Sequence, residues 1–192
     1  MAGKNRAQEV RIIGGKWKGR KLPFQGSSSL RPTPGRSRET LFNWLRPYIG
    51  ELRCLDLFAG SGVLGFEALS QGAERCVFVD KNRKTIDRIR SNIALLQTDQ
   101  AEVRNMDALR FLRSEQDRYD VVFLDPPFNA PELLAKAMEL LIEQGIATNY
   151  IYAESRDDLL LTDLASRFSL KLAGRTKSGD SQGSLWQVEL QP

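Results

Sequence analysis

The residues best suited to chemistry are Asp125-Pro126-Pro127-Phe128, which directly follow the apolar run Val121-Val122-Phe123-Leu124. The run reads as a buried strand, and two consecutive prolines stop its pairing because neither has an N–H to donate. What is left at the strand's carboxyl end is a stiff corner of acceptors, one carboxylate and adjacent carbonyls with no competing donors. Such a corner suits a planar amine, whose two N–H bonds need acceptors on one side, and Phe128 offers a ring to hold it flat. The plainer alternative is a strand-ending turn, since Asp-Pro pairs are common turn formers.

A second group lies at Leu55-Asp56-Leu57-Phe58-Ala59-Gly60-Ser61-Gly62-Val63-Leu64-Gly65. Small residues here let the backbone approach a ligand at the end of a first strand. Gly60, Gly62 and Gly65 literally satisfy the dinucleotide fingerprint G-x-G-x-x-G, and no Gly-Lys-Ser/Thr follows to make a Walker A loop. Asp80 directly follows Cys76-Val77-Phe78-Val79, where it suits ribose hydroxyls better than a mere strand-end acid would. Asp107, past the third strand, is either an acceptor for an adenine amine or the N-cap of a helix beginning Ala108-Leu109-Arg110.

These groups need a scaffold, and from Arg53 onward strand and helix patterns alternate, which predicts a parallel sheet with helices on both faces. Strands are expected at Cys54–Phe58, Cys76–Val79, Glu102–Asn105, Asp120–Leu124 and Asn149–Ala153, with helical periodicity at Ile86/Ile89/Ile93/Leu96 and, after Pro131, at Leu133–Leu141. Phe168–Ala173 and Ser184–Leu190 read as a closing antiparallel hairpin, with Trp186, Val188 and Leu190 on one buried face. Ahead of the sheet, runs at Val10–Ile13 and Lys21-Leu22 around Gly14-Gly15 and Gly19 predict a small β-hairpin, followed by a loop at Gly26–Ser29 and a helix from about Ser37 to Leu45 capped by Ser37. No repeat or linker is visible. The expected organisation is a basic hairpin appendage over residues 1–30 and an α/β domain over residues 31–192.

Composition narrows the field. A chain of 192 residues with 41% hydrophobic and 27% charged residues is an ordinary globular chain. It has no stretch near the ~18 apolar residues of a membrane span, and the basic N-terminus lacks the apolar core of a secretory signal. The absence of histidine removes His-based triads, His-ligated zinc and imidazole acid–base catalysis, and no metal site is expected. Cys54 and Cys76 read as buried, reduced thiols, and a cytoplasmic protein follows. Charge is segregated: residues 1–53 hold 12 Lys/Arg against three acids, the remainder 16 against 21. Such an arm suits a polyanion. Its Lys16-Trp17-Lys18 and Arg20-Lys21 interleave cations for phosphates with a stacking face for a base.

With these motifs in place, the sequence resembles the Rossmann-like S-adenosylmethionine-dependent methyltransferases that carry an Asp/Asn-Pro-Pro-aromatic motif, and within them the RsmD family. The blocks that carry the resemblance are Arg11–Leu22, Arg31-Pro32-Thr33, Arg36–Leu45, Leu55–Gly65 and Asp125–Phe128; Gly35 departs from relatives with an acid before Arg36. The resemblance runs from about Val10 to Leu190. It implies a mostly parallel seven-stranded sheet with a closing antiparallel strand, and methyl transfer to the N2 amine of one guanine in 16S rRNA. The expected partner is that RNA within a small-subunit particle, and nothing in the sequence demands more than a monomer. It assigns Asp56, Phe58, Gly60, Ser61, Gly62, Asp80, Lys81, Asp107 and Ala108 to S-adenosylmethionine and its product S-adenosylhomocysteine, with Arg31, Thr33 and Arg36 closing the pocket. Asp125, Pro126, Pro127 and Phe128 become the catalytic corner, with Asp125 and the Pro126 carbonyl accepting from the amine and Phe128 stacking on the base. Arg11, Lys16, Trp17, Lys18, Arg20, Lys21 and Arg38 become RNA contacts, so that removing residues 1–22 is expected to spare cofactor binding and weaken RNA binding.

Three other readings compete. An adenine-N6 or protein-glutamine methyltransferase shares the amine-gripping corner. An NAD-dependent oxidoreductase accounts for the glycines and leaves the corner unexplained. A non-enzymatic RNA-binding module accounts for the basic arm alone.

Overall fold

The computed structural model describes residues 8–24, 35–127 and 130–189. Two short strands, β1 (Gln8–Arg11) and β2 (Lys21–Phe24), pair antiparallel around a 3-10 turn at Gly15–Trp17. After α1 (Gly35–Leu45), β3 (Arg53–Asp56), α2 (Val63–Ser70), β4 (Arg75–Asp80), α3 (Arg83–Leu96) and β5 (Ala101–Asn105) follow in alternation. The second half runs α4 (Ala108–Ser114), β6 (Tyr119–Leu124), α5 (Pro131–Glu143), β7 (Ala147–Ser155), α6 (Asp158–Arg167), β8 (Lys171–Ser178) and β9 (Ser181–Gln187). Among the described residues no helix is long and apolar enough to cross a membrane.

The seven strands β3–β9 form the expected sheet, in the order β5-β4-β3-β6-β7-β9-β8, with β9 alone running against the others. Strand order reverses between β3 and β6, which are parallel neighbours, so a crevice opens at their carboxyl ends. Alternation along β6 builds the two layers. Val121 and Phe123 join the core under α1, α2 and α3, whereas Val122 and Leu124 face α4, α5 and α6. Cys54 and Cys76 are buried, free and directly opposite each other on β3 and β4.

The carboxyl third differs from expectation. Asp157 caps α6 by accepting from the Leu160 N–H (3.1 Å), and Phe168 ends that helix instead of starting a strand. The run Leu159-Leu160-Leu161 hides the helical period, since only Leu161 and Leu164 are buried while Leu159 is exposed. β8 therefore begins at Lys171 and β9 ends at Gln187. Trp186 is buried and Val188 packs beside it, while Leu190 lies outside the described residues, as does the loop expected at Gly26–Ser29. Ser37 lies inside α1, buried, rather than capping it.

The hairpin is not an appendage. Val10, Ile12, Trp17, Leu22 and Phe24 join the same apolar cluster as α2 and α3. Polar contacts fix its position. The buried Glu67 carboxylate on α2 accepts from the Ile13 N–H (2.8 Å), the Gly14 N–H (3.3 Å) and the Arg38 guanidinium (2.6 Å). Arg38 also donates to the Arg11 carbonyl, tying α1 to β1. The Ser70 hydroxyl accepts from the Trp17 N–H (2.9 Å) and donates to the Gly14 carbonyl (2.6 Å). Gly15, at φ +73°, lies so close to the Ser70 carbonyl that any side chain would collide with α2. Burial raises the Glu67 pKa and lowers that of Arg38 despite their pairing, so this pair specifies an arrangement more than it adds net stability.

Removing residues 1–22 would thus strip one side of the core, and the expectation of a separable arm does not hold. Glu67→Ala, which leaves two inward-facing N–H groups and a guanidinium without this acceptor, is expected to cost about 3–5 kcal/mol in chemical denaturation. Amide exchange at Ile13 and Gly14 should accelerate with it. A loss below about 1 kcal/mol with both amides still protected would contradict this role.

Candidate active site

Four strand ends meet along one edge of the sheet. β3 ends in Asp56, and the chain then turns through Leu57–Gly62 into α2. This loop is held from both sides, by the Leu57 N–H donating to the Phe123 carbonyl of β6 and the Ala59 N–H to the Val79 carbonyl of β4. Gly62 sits at φ +73°, where a Cβ would also stand 2.9 Å from the Phe66 ring. Gly65 has a different duty. A Cβ there would collide with the Phe78 ring and the Cys76 sulfur, so this glycine lets α2 lie against β4 rather than admitting a ligand. The Ser61 hydroxyl accepts from the Val63 N–H at the start of α2.

Asp56 is buried and accepts from the Gly65 N–H at 3.1 Å. Burial pushes its carboxyl up to about 7, the Gly65 N–H opposes the shift and the charge of Asp80 adds to it. Asp80, at the end of β4, accepts from the Gly60 N–H (3.0 Å) and the Asn82 N–H (2.7 Å). Its pKa is also raised, chiefly by burial and against those two donors. A carboxylate has about four acceptor positions, so Asp80 both anchors the glycine loop and keeps capacity for a ligand hydroxyl. Lys81 and Asp107 are exposed, Ala108 is buried and Phe58 is half-buried. Asp107 caps α4, accepting from the Arg110 N–H at 3.1 Å, which is the alternative role foreseen for it. Asn105 escaped sequence reasoning: its side-chain amide donates to the Asp80 and Lys81 carbonyls and locks the ends of β4 and β5 together. A lone asparagine ending a strand was its only signal.

At the end of β6, Asp125 is half-buried, Pro126 buried and Pro127 exposed. The Pro127 carbonyl accepts from the Ala130 N–H (3.0 Å), so one carbonyl of the corner does meet a competing donor. Among the described residues no N–H donates to the Pro126 carbonyl. The corner faces a cavity of about 270 Å³ lined by Pro126, Pro127, Pro131, Leu134, Ser155 and Leu160. Behind it, the buried Tyr152 hydroxyl donates to Glu154 (2.9 Å), and the phenol is pushed up by burial, by Glu154 and by the charge of Asp125. Gly183 makes room for that hydroxyl, with which any Cβ would collide. Phe128, Arg31 and Thr33 lie outside the described residues, and Arg36 is exposed in the first turn of α1. Among the described residues no three acidic or cysteine side chains cluster as metal ligands would.

Two expected RNA contacts are corrected. Trp17 is only 7% exposed, with the Lys16 ammonium 4.6 Å above its ring, so it anchors the hairpin and offers no stacking face. Arg38 is buried against Glu67 and cannot meet phosphate. Arg11, Lys16, Lys18, Arg20 and Lys21 are exposed. The turn that carries Lys16 lies away from the strand ends just described. Lys16 donates to Gln100, whose amide donates to the Ala73 and Glu74 carbonyls, where β4 and β5 begin. The length of β4 separates the two ends by about 20 Å.

The family model described as "Conserved hypothetical protein 95" matches residues 10–186. "Ribosomal RNA small subunit methyltransferase D" of Haemophilus influenzae is 48% identical over 160 residues, 80% of this chain and 82% of that protein. The protein of the same name from Escherichia coli strain K12 is 42% identical over 172 residues, 87% of this chain and 86% of that protein. Among solved structures, "Putative methyltransferase yhhF from Escherichia coli" superposes with a TM-score of 0.83 at 38% identity, covering 96% of this chain and 100% of that one. A likeness that extends through the hairpin, the glycine loop and the corner after β6 leaves one assignment: this chain belongs to the RsmD family.

Proposed function

We propose that this protein transfers a methyl group from S-adenosylmethionine to the exocyclic N2 amine of a guanine in 16S rRNA. The observation that carries the reading is the adjacency of β3 and β6. Asp56 pairs with Phe123 in register, so the glycine loop and Asp125-Pro126-Pro127 emerge side by side. The names of the relatives supply the RNA class. In this reading the reaction takes place in the cytoplasm on a small-subunit particle, with the protein acting as a monomer.

The residues fit the proposed methyl donor. A glycine at positive φ shapes the loop, and a ligand bearing positive charge would favour the ionised form of two strand-end carboxyls whose ionisation burial opposes. Asp56, Phe58, Gly60, Ser61 and Gly62 would hold its methionine part, Asp80 and Lys81 its ribose, and Asp107 and Ala108 its adenine, with Arg31, Thr33 and Arg36 closing over them. The bound sulfonium supplies an already activated methyl group. The chain's own work is then positioning. Asp125 and the Pro126 carbonyl accept the two N–H bonds of the guanine amine, which favours a pyramidal nitrogen and frees its lone pair. Phe128 stacks on the extracted base. Exposed Arg11, Lys16, Lys18, Arg20 and Lys21 bind RNA phosphates.

Asp125→Ala is expected to lower kcat by at least ~100-fold while binding S-adenosylmethionine as the parent does. Asp125→Asn, which keeps an acceptor, should retain part of the rate; near-normal turnover in the alanine variant would refute the role. A second test uses pH. Asp56 has its native pKa raised to about 7 from an ordinary 3.8. The folded protein therefore binds the extra proton, and this contribution to stability is present below the ordinary value and lost as pH rises through about 7. A cationic ligand favours the ionised form, so S-adenosylmethionine affinity should rise up to ~10-fold between pH 6 and 8, with proton release in calorimetry. Asp56→Asn should flatten that rise. An equally steep profile in the variant would show that Asp56 does not face the ligand.

A further inference from the structure

The distance between the hairpin's basic turn and the chemical edge raises the question of what lies between them. The connecting surface is one flank of α3, which runs from just past Asp80 back to the hairpin. Lys84, Arg88, Ser91 and Leu95 fall at i, i+4, i+7 and i+11 and share that flank. Its hairpin end is marked by two contacts: Arg20 donates to the Leu95 carbonyl (3.2 Å), and Asn92 donates to the Pro23 carbonyl of β2 (3.1 Å).

The two flanks of α3 treat charge differently. On the far flank Asp87 pairs with both Arg83 (3.0 Å) and Arg90 (3.1 Å), so that side is partly neutralised. On the hairpin flank, Lys84 is exposed and Arg88 half-exposed, and among the described residues neither enters an ion pair. Cations one helical turn apart stand ~6 Å from each other, close to the separation of successive phosphates along a nucleic-acid strand. With Arg20 on the hairpin, which reaches the Leu95 carbonyl, they mark a basic flank that leads toward the end of β4, whereas Lys21 is paired with Glu9 (3.2 Å).

We propose that Lys84 and Arg88 bind the phosphodiester backbone of the RNA substrate, carrying it from the hairpin along α3 to the sheet edge where the target amine is methylated. This rests on the RNA reading above. It explains how a basic turn at the wrong end of the sheet serves chemistry at the other end.

The test compares Lys84→Gln/Arg88→Gln with Arg83→Gln/Arg90→Gln, which removes the same charge from the opposite flank. Both pairs are assayed for binding to an unmodified small-subunit rRNA transcript across a salt series and for methyl transfer into particles lacking the modification. The first pair should weaken RNA binding ~10-fold and flatten the salt slope by about 1.4–1.8, two contacts' worth. The loss should fall on KM rather than kcat, and unchanged S-adenosylmethionine binding reports an intact fold. The second pair should change RNA affinity less than about two-fold. If the parent binds RNA and the two pairs behave alike, or the slope is unchanged, the α3 track is overturned and the RNA function stands. If the parent itself neither binds nor methylates RNA, the functional reading fails and the track with it.

Discussion

Three register pairs between β3 and β6, Cys54 with Val121, Leu55 with Val122 and Asp56 with Phe123, bring the two chemical parts of this protein together. The meeting of the glycine loop and the proline corner follows from that parallel pairing, while the β3–β4 and β4–β5 pairs bring up Asp80 and Asp107. β3 delivers a loop whose glycines let backbone stand where side chains would not fit, and β6 delivers a proline-stiffened corner of acceptors. The strand order reverses at this pair, so no crossover helix covers the gap. In the proposed reaction, the sheet itself places a methyl donor on one strand end within reach of an amine on the other.

A second constraint attaches the basic hairpin to that frame. Glu67 gathers two backbone N–H groups from the hairpin and the guanidinium of α1, on the helix that begins at the glycine loop. A buried carboxylate is a costly device, and its merit is definiteness, because few alternative packings would satisfy it. The hairpin is thereby tied to the helix that follows the glycine loop, and in the proposed function the exposed cations on its surface keep a fixed relation to the reaction centre.

Much of this was legible in the sequence because buried parallel strands are continuous apolar runs, and acids stand abruptly at the ends of some of them. Asp80 and Asp125 stand out in this way, whereas Asp56 lies inside the strand expected over Cys54–Phe58 and is marked only by the family resemblance; β3 in fact ends at Asp56. The failures share a cause. Trp17 and Arg38 look like surface residues among neighbouring cations, but the apolar cluster built with α2 takes in Trp17, and Glu67, far along the chain, receives Arg38. Gly183 reads as a turn residue until the Tyr152 hydroxyl is seen beside it. α6 disappears behind three successive leucines, whose run carries no period. Local pattern reports the element and its end; burial of a polar or charged group is decided by partners that sequence order does not reveal.

In the proposed function this corner methylates one guanine amine. Its most direct test is incubation of the protein with labelled S-adenosylmethionine and small-subunit particles from an unmodified strain, followed by mapping of the labelled nucleotide. Label is expected on a single guanine of 16S rRNA, at N2. Label on adenine N6, on ribosomal protein or scattered over many nucleotides would contradict it.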